Sequence, residues 1–217
     1  MIANGRIMAY DGELLTVGVP FYDSDFLMRK NVNNVQVVIE DGRRISADQR
    51  KKLYATFNDI SEYTGYVPEY VKEFMKYDFI ATTGCEHFSL SNVDMSTAKE
   101  FLEHTIEFCV EWGIPTKDSL LERTPDIARY VYKCAIKKKC CISGKKAELH
   151  HLDAVGMGRN RKDIIHIGME VIPLSIVHHK EAHTIGKKSF CEKYHVCGVM
   201  ADSEICKVYN LKRGEKG

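Results

Sequence analysis

The chain has 217 residues, of which 44% are hydrophobic and 28% are charged, and its formal net charge is +1. These values are ordinary for a soluble globular protein of one or two domains. The eight cysteines are scattered without the spacing of a small secreted framework, so we expect reduced thiols in a cytoplasm. No apolar run is long enough for a transmembrane helix, and we expect no signal peptide.

The two ends of the chain differ in charge. Residues 136–217 carry 16 Lys or Arg and 9 Asp or Glu, a net charge of +7, whereas residues 1–135 carry a net charge of −6. This split suggests two modules, of which the basic one is the candidate to bind a polyanion. A solvated basic surface would give the same pattern.

The front of the chain is predicted to begin with β-structure. Residues 7–10 and 13–19 flank the dipeptide Asp11-Gly12, which is a strong signal for a hairpin with a two-residue turn. Residues 35–39 form a β-branched run that predicts another strand.

Four helices are predicted next. Ser46 and Gln49 form a capping-box pattern, and the helix that they open should end near Gly65. Pro68 can occupy the first turn of the second helix, and residues 84–92 are a short strand or a loop. The third helix is predicted from a cap at Ser96 to Gly113, and the fourth from Thr124 to about Lys138.

The pattern changes after residue 140. Residues 147–152 and 171–172 predict two short strands, separated by a loop rich in glycine and arginine. A helix is predicted from Leu174 onward. The fold class is therefore α+β: an N-terminal hairpin, strands and helices, followed by a small unit of two strands and a helix. That unit has little core of its own, so we expect a metal ion to stabilise it.

Seven of the nine histidines lie between residues 150 and 195. His179 and His183 are four residues apart, so both rings can reach one cation from one face of a helix. His150 can add a third ligand and leave coordination positions open, as in a catalytic site. His151 is adjacent on the strand and points the other way, where it can take a proton from an attacking water.

Residues 140–183 resemble the HNH endonucleases, which have the ββα-metal fold. The resemblance rests on the doublet His150 and His151, the segment Val171-Ile-Pro-Leu, and the pair His179 and His183. It implies that His150, His179 and His183 bind one divalent ion (Mg, Mn, Zn or Ni) and that His151 is the general base. It further implies hydrolysis of DNA to 5′-phosphate and 3′-hydroxyl ends.

The sequence departs from the family pattern at two places. Glu170 stands where the family has an Asn that braces the general base, so Glu170 and His166 are both candidates for this catalytic support. Many relatives also bind a structural zinc through two Cys-x-x-Cys pairs. The corresponding segments here are Cys140-Cys-Ile-Ser and Ser175-Ile-Val-His, so no structural zinc site is expected.

Five basic residues are candidates for contacts with DNA phosphates. Arg159, Arg161 and Lys162 lie between the doublet and the second strand, and Lys187 and Lys188 follow the helical pair. A role in solubility alone would explain them equally well.

Residues 46–78, the segment Asp94-Met-Ser and the segment Trp112-Gly-Ile-Pro are similar to the NinB family of phage recombination proteins. This resemblance implies DNA binding, notably to single strands, and a homodimer formed through the N-terminal part. We therefore predict two domains, residues 1–125 and 126–217, in a phage or prophage protein that acts in the cytoplasm of a bacterial host. No membrane association is expected.

Three functions are compatible with these patterns. The first is a metal-dependent endonuclease that acts on duplex, branched or single-stranded DNA in recombination or replication. The second is a non-catalytic DNA-binding recombination mediator with a metal-stabilised HNH-like module, which Glu170 would favour. The third is a zinc-stabilised module that contacts only protein.

Overall fold

The computed structural model of the protein describes residues 5–20, 42–152 and 165–212. The chain forms two compact units, Met1–Asp41 and Gly42–Gly217. The strand predicted at residues 35–39 lies outside the described residues.

The described part of the first unit is an antiparallel hairpin of β1 (Arg6–Tyr10) and β2 (Leu15–Gly18). The connection is longer than the predicted two-residue turn, and that prediction is wrong in its length. The reason is a side-chain turn: the Asp11 carboxylate accepts hydrogen bonds from the backbone N–H groups of Glu13 at 2.9 Å and Leu14 at 2.8 Å.

The second unit begins with two helices that follow the predicted boundaries. Helix α1 (Ala47–Thr64) starts with the capping box of Ser46 and Gln49 and ends at Gly65, whose backbone is left-handed. Helix α2 (Pro68–Thr83) has proline at its first turn.

Helix α3 (Met95–Trp112) packs on α1 and α2 and is capped by Asp94, so the predicted cap at Ser96 is wrong by two residues. The Asp94 carboxylate accepts a hydrogen bond from the backbone N–H of Thr97 at 2.8 Å. The helix ends at Gly113, as predicted. Residues 84–92 form no strand.

A short helix that was not predicted, α4 (Leu120–Arg123), precedes the fourth predicted helix. The predicted helix is α5 (Ile127–Ile136), which begins three residues after the predicted start at Thr124. Thr124 precedes a proline and is extended, which ends α4 and delays the start of α5. Asp126 then caps α5 by accepting a hydrogen bond from the backbone N–H of Arg129.

An antiparallel sheet of three strands follows, in the order β3 (Glu148–His151), β4 (Glu170–Leu174), β5 (Val199–Met200). Helix α6 (Ile176–Ile185) packs on β3 and β4. Two further helices, α7 (Lys187–Tyr194) and α8 (Ser203–Val208), complete the unit. The prediction of two short strands and a helix matches β3, β4 and α6, but the sheet has a third strand that was not predicted. The architecture is α+β.

Helix α5 packs against α3 on one side and against β4 on the other. Arg129 of α5 forms ion pairs with Glu103 at 2.5 Å and Glu107 at 2.6 Å, both on α3. The domain boundary between residues 125 and 126 stays a prediction. Within the ranges that the structure describes, no helix has the length and apolar character needed to cross a membrane.

A buried ion pair joins α1 to α4. The Arg123 guanidinium lies 2.7 Å from the Asp59 carboxylate, and both side chains are less than 5% exposed. Arg123 also reaches Asp118 at 3.2 Å, but the Asp118 side chain is 67% exposed. Solvent therefore screens the second pair far more than the first.

We expect Asp59→Asn to lower the free energy of unfolding by about 3–5 kcal/mol, because it leaves the Arg123 charge buried without its main partner. The matched change Asp118→Asn should cost less than about 1 kcal/mol. Urea denaturation followed by circular dichroism measures both values. Equal effects of the two substitutions would contradict the assignment of Asp59 as the main partner.

Candidate metal centre

The pairing of β3 with β4 sends the two adjacent histidines to opposite faces of the sheet. His150 lies opposite Ile172, and His151 lies opposite Val171. Successive side chains of a strand alternate between faces, so His150 points toward α6 and His151 points away from it. The His150 side chain is buried, whereas His151 is partly exposed.

Helix α6 presents two histidines on one face. The His179 and His183 rings are stacked, with centroids 5.0 Å apart and an interplanar angle of 24°. Ala182 is buried on the same helix. The spacing of four residues brings the two imidazoles onto one side of the helix.

The three predicted ligands converge. The His150 ring lies 4.7 Å from each of the His179 and His183 rings, measured between centroids. One nitrogen from each of the three side chains lies within 4.8 Å of the other two. Among the described residues this is the one group of three or more His, Cys, Asp or Glu that could hold a metal ion.

The geometry suits a divalent ion. Two nitrogens bound to one zinc-sized ion at about 2.1 Å can lie at most about 4.2 Å apart, so small ring rotations would complete the contact. The site is graded in exposure: His150 is buried, His179 is intermediate and His183 is exposed. The open side therefore lies near His183, where water and a substrate can enter.

The electrostatics also favour a metal ligand at His150. Burial, followed by the nearby His179, His183 and His151 rings, lowers the pKa of His150 to about 4. The ring is therefore neutral at pH 7, which is the form of imidazole that binds a metal.

Glu148 supports this centre and was not among the predicted site residues. Its carboxylate lies 3.1 Å from Nδ1 of His179. An acceptor at Nδ1 fixes the ring orientation and leaves Nε2 as the nitrogen for the metal. The signal in the sequence is that Glu148 is two residues before His150, and therefore on the same face of the strand.

His151 contacts His166 on the far side of the sheet. Nε2 of His151 and Nδ1 of His166 are 2.8 Å apart, and His166 is 8% exposed. Burial lowers the pKa of His166, which favours the neutral form of its ring. If His166 accepts the hydrogen bond, Nδ1 of His151 is the unprotonated nitrogen and can act as a base.

Glu170, the other candidate for the brace, lies at the start of β4 and forms an ion pair with Lys187 of α7. Lys187 was predicted to contact DNA, and it is held by this carboxylate. Lys188, the next predicted contact, is 89% exposed and lies 3.9 Å from Glu192. Arg159, Arg161 and Lys162 lie outside the described residues.

The four residues at the positions of a structural zinc site come together. Sγ of Cys140 lies 3.5 Å from Nδ1 of His178, and Oγ of Ser175 lies 3.0 Å from the same nitrogen. The backbone N–H of Ser143 donates to Cys140 at 3.5 Å. Burial alone would raise the pKa of Cys140, but hydrogen bonds, led by those from Ser143, outweigh burial and lower it.

We expect Glu148→Ala to weaken binding of Mn²⁺ or Ni²⁺ about 10- to 100-fold, because His179 loses the acceptor that orients its ring. Glu148→Gln keeps an oxygen acceptor and should lose less. Isothermal titration calorimetry measures the affinities. The control Glu192→Ala removes an exposed carboxylate of the same unit and should change nothing, and unchanged binding by Glu148→Ala would refute the role.

The comparisons with known proteins bear on the family of the chain. A family model described as "Putative HNHc nuclease" matches residues 21–212. Comparisons with curated proteins and with solved structures return no match. The matched segment covers most of the 217 residues and includes all three converging histidines and the His151–His166 pair, and the chain belongs to the HNH nuclease family.

Proposed function

We propose that this protein is a metal-dependent DNA endonuclease that hydrolyses phosphodiester bonds. The observation that carries the proposal is the convergence of His150, His179 and His183 beside a second imidazole pair, His151 and His166. Three histidine ligands with an open side are typical of catalytic rather than closed structural sites. When bound, a divalent ion such as Mg²⁺, Mn²⁺, Zn²⁺ or Ni²⁺ would stabilise negative charge on the phosphate and the leaving oxygen.

Side chains of this protein accept the proton and position the reacting groups. His151 accepts a proton at Nδ1 from the water that attacks phosphorus, and His166 holds the ring through Nε2. The bond from phosphorus to the 3′ oxygen breaks, and that oxygen takes a proton from solvent. The products are a 5′-phosphate and a 3′-hydroxyl. Glu148 keeps His179 in its orientation.

Basic side chains would hold the DNA backbone. Lys188 is highly exposed at the start of α7, and we assign phosphate contacts to it together with Lys187, Arg159, Arg161 and Lys162. Lys187 would have to exchange or share its partner Glu170 when DNA binds. The substrate is duplex, branched or single-stranded DNA.

We further propose a role in phage recombination or replication, in the cytoplasm of a bacterial host, with a homodimer formed through the N-terminal part. An exposed aromatic row that begins at Tyr66, just before α2, and continues on α2 and α3 supports the dimer. Neighbouring ring centroids in the row are 4.9 to 6.5 Å apart. Its members Tyr66, Tyr70, Phe74 and Trp112 are 45–67% exposed, and Phe108 links the two helices. Clustered apolar surface of this kind is typical of protein contacts.

The ion pair of Glu170 with Lys187 favours one alternative. If a nuclease of this family needs an amide at position 170, the unit would bind DNA and metal without cleaving. This recombination mediator would show DNA binding that weakens with salt, thermal stabilisation by metal, and no cleavage across a metal screen.

The decisive substitution is His151→Ala. We expect the rate of nicking of supercoiled plasmid to fall at least about 100-fold, because general-base catalysis contributes about 10²–10⁴-fold. Binding of Mn²⁺ should be retained, because His151 is on the opposite face from the three ligands. Gel assays with plasmid and branched DNA, over Mg²⁺, Mn²⁺, Zn²⁺ and Ni²⁺, measure the rates.

The matched control is His87→Ala, an exposed histidine in the loop between α2 and α3, which should cleave like the wild type. Cleavage by His151→Ala at the wild-type rate would rule out this mechanism. Wild-type protein that binds DNA but cleaves it with none of the four ions would establish the mediator instead.

A further inference from the structure

A cleft of about 460 Å³ lies in the second unit, away from the three converging histidines. One wall is the end of α3 with residues 113–120, and the other wall is the turn at residues 139–145. The volume is within the range of ligand sites in proteins, about 300–1,000 Å³. None of the roles assigned above uses this cleft.

The floor of the cleft is apolar and its rim is cationic. Val110, Ile114, Leu120 and Ile142 contribute the apolar part. Lys117, Lys139 and Lys145 contribute the charge, and Thr116, Ser119 and Ser143 also line the cleft.

Two of these lysines have no ion-pair partner among residues 5–20, 42–152 and 165–212. Lys117 is paired with Glu62 at 2.9 Å, and Asp118, the carboxylate that lines the cleft, is paired with Arg123 at 3.2 Å. In the part of the chain that the structure describes, the side chains of Lys139 and Lys145 form no ion pair. Lys139 is half-buried and Lys145 is exposed.

The cleft is linked to the candidate metal centre through contacts of the Cys140 side chain. Ser143 lines the cleft, and its N–H donates to Cys140, whose sulfur contacts His178. His178 precedes the proposed ligand His179 on α6. The turn that forms one wall is therefore attached to the helix that carries two of the three converging histidines.

We infer that this cleft binds one nucleotide of a nucleic-acid strand, with the base over the apolar floor and the phosphate between Lys139 and Lys145. The flat base of a nucleotide suits the apolar floor, and its phosphate suits the cationic rim. A free phosphate would contact only the rim. The inference rests on the proposed function for its choice of a nucleic acid as the occupant. It requires binding only, and no chemical step at the cleft.

The test measures binding of a fluorescein-labelled thymidine 12-mer by anisotropy between 50 and 300 mM KCl. The full chain carries His151→Ala throughout, so that the strand stays intact. We expect Lys139→Gln with Lys145→Gln to weaken binding on the order of tenfold at low salt. The slope of log K against log[KCl] should become shallower by about 0.7 for each lost phosphate contact.

The control pair is Lys51→Gln with Lys207→Gln, which removes two exposed lysines elsewhere on the unit and should leave affinity and slope nearly unchanged. The inference would be overturned if both pairs of substitutions weakened binding equally. It would also be overturned if Lys139→Gln with Lys145→Gln did not weaken binding. Lys145→Gln alone changes an exposed turn residue. It should still show half of the slope change if the double variant proves unstable.

A competition assay separates the two parts of the proposed site. Thymidine monophosphate should displace the 12-mer at lower concentration than inorganic phosphate, and this difference should disappear in Ile142→Glu, which places a charge on the floor. Equal competition by both anions would overturn the role of the floor. Because the readout is binding, loss of cleavage in the separate nuclease assay leaves this result unaffected.

Discussion

The register between β3 and β4 is the constraint on which the candidate site depends. Because His150 lies opposite Ile172 and His151 opposite Val171, one histidine turns toward α6 and its neighbour turns away. A shift of one residue would exchange the two faces. The buried side chains Val171, Ile172 and Leu174 hold the register, since each is fully buried on β4. Packing of the sheet thereby separates a metal ligand from a base that are adjacent in sequence.

Bringing three imidazoles together has an electrostatic cost. Burial and the neighbouring rings hold His150 neutral, with its pKa at about 4. A protonated His150 would face two nearby rings without a carboxylate of its own, whereas His179 has Glu148 at 3.1 Å. The arrangement is therefore built for neutral nitrogen donors and a cation. This explains why the buried position is occupied by His150 and the carboxylate lies toward solvent, where its own desolvation is small.

Local rules account for most of what the sequence could predict. Side chains alternate between the faces of a strand, which predicts that His151 points away from His150. Residues four apart share one side of a helix, which predicts that His179 and His183 lie together. The cap of α3 could not be chosen in this way, because Asp94 and Ser96 are both good caps. A contact distant in sequence decides it: Arg44 bridges Asp94, and the N–H of Met95 donates to the carbonyl of Arg43.

The contact of His166 with His151 also depends on residues distant in the sequence. His166 meets His151 only because the turn before β4 folds back, with the N–H of His166 donating to the carbonyl of Lys212 near the end of the chain. A local sequence pattern cannot predict a contact between segments that are this far apart in the sequence. Strand β5 has two residues, which are too few to show an alternating pattern. The sequence pattern therefore could not predict the third strand.

The cluster of Cys140, Ser175 and His178 shows how the start of α6 is fixed by this chain's own groups. Cys140 is fully buried and contacts His178, and the next residue, Cys141, donates its N–H to the carbonyl of Pro173 at 3.2 Å. The turn after α5 is thus tied to the end of β4, immediately before the helix that carries His179. These bonds hold the start of the helix through groups other than the three histidines. An ion bound at the three histidines would add its binding free energy to these contacts.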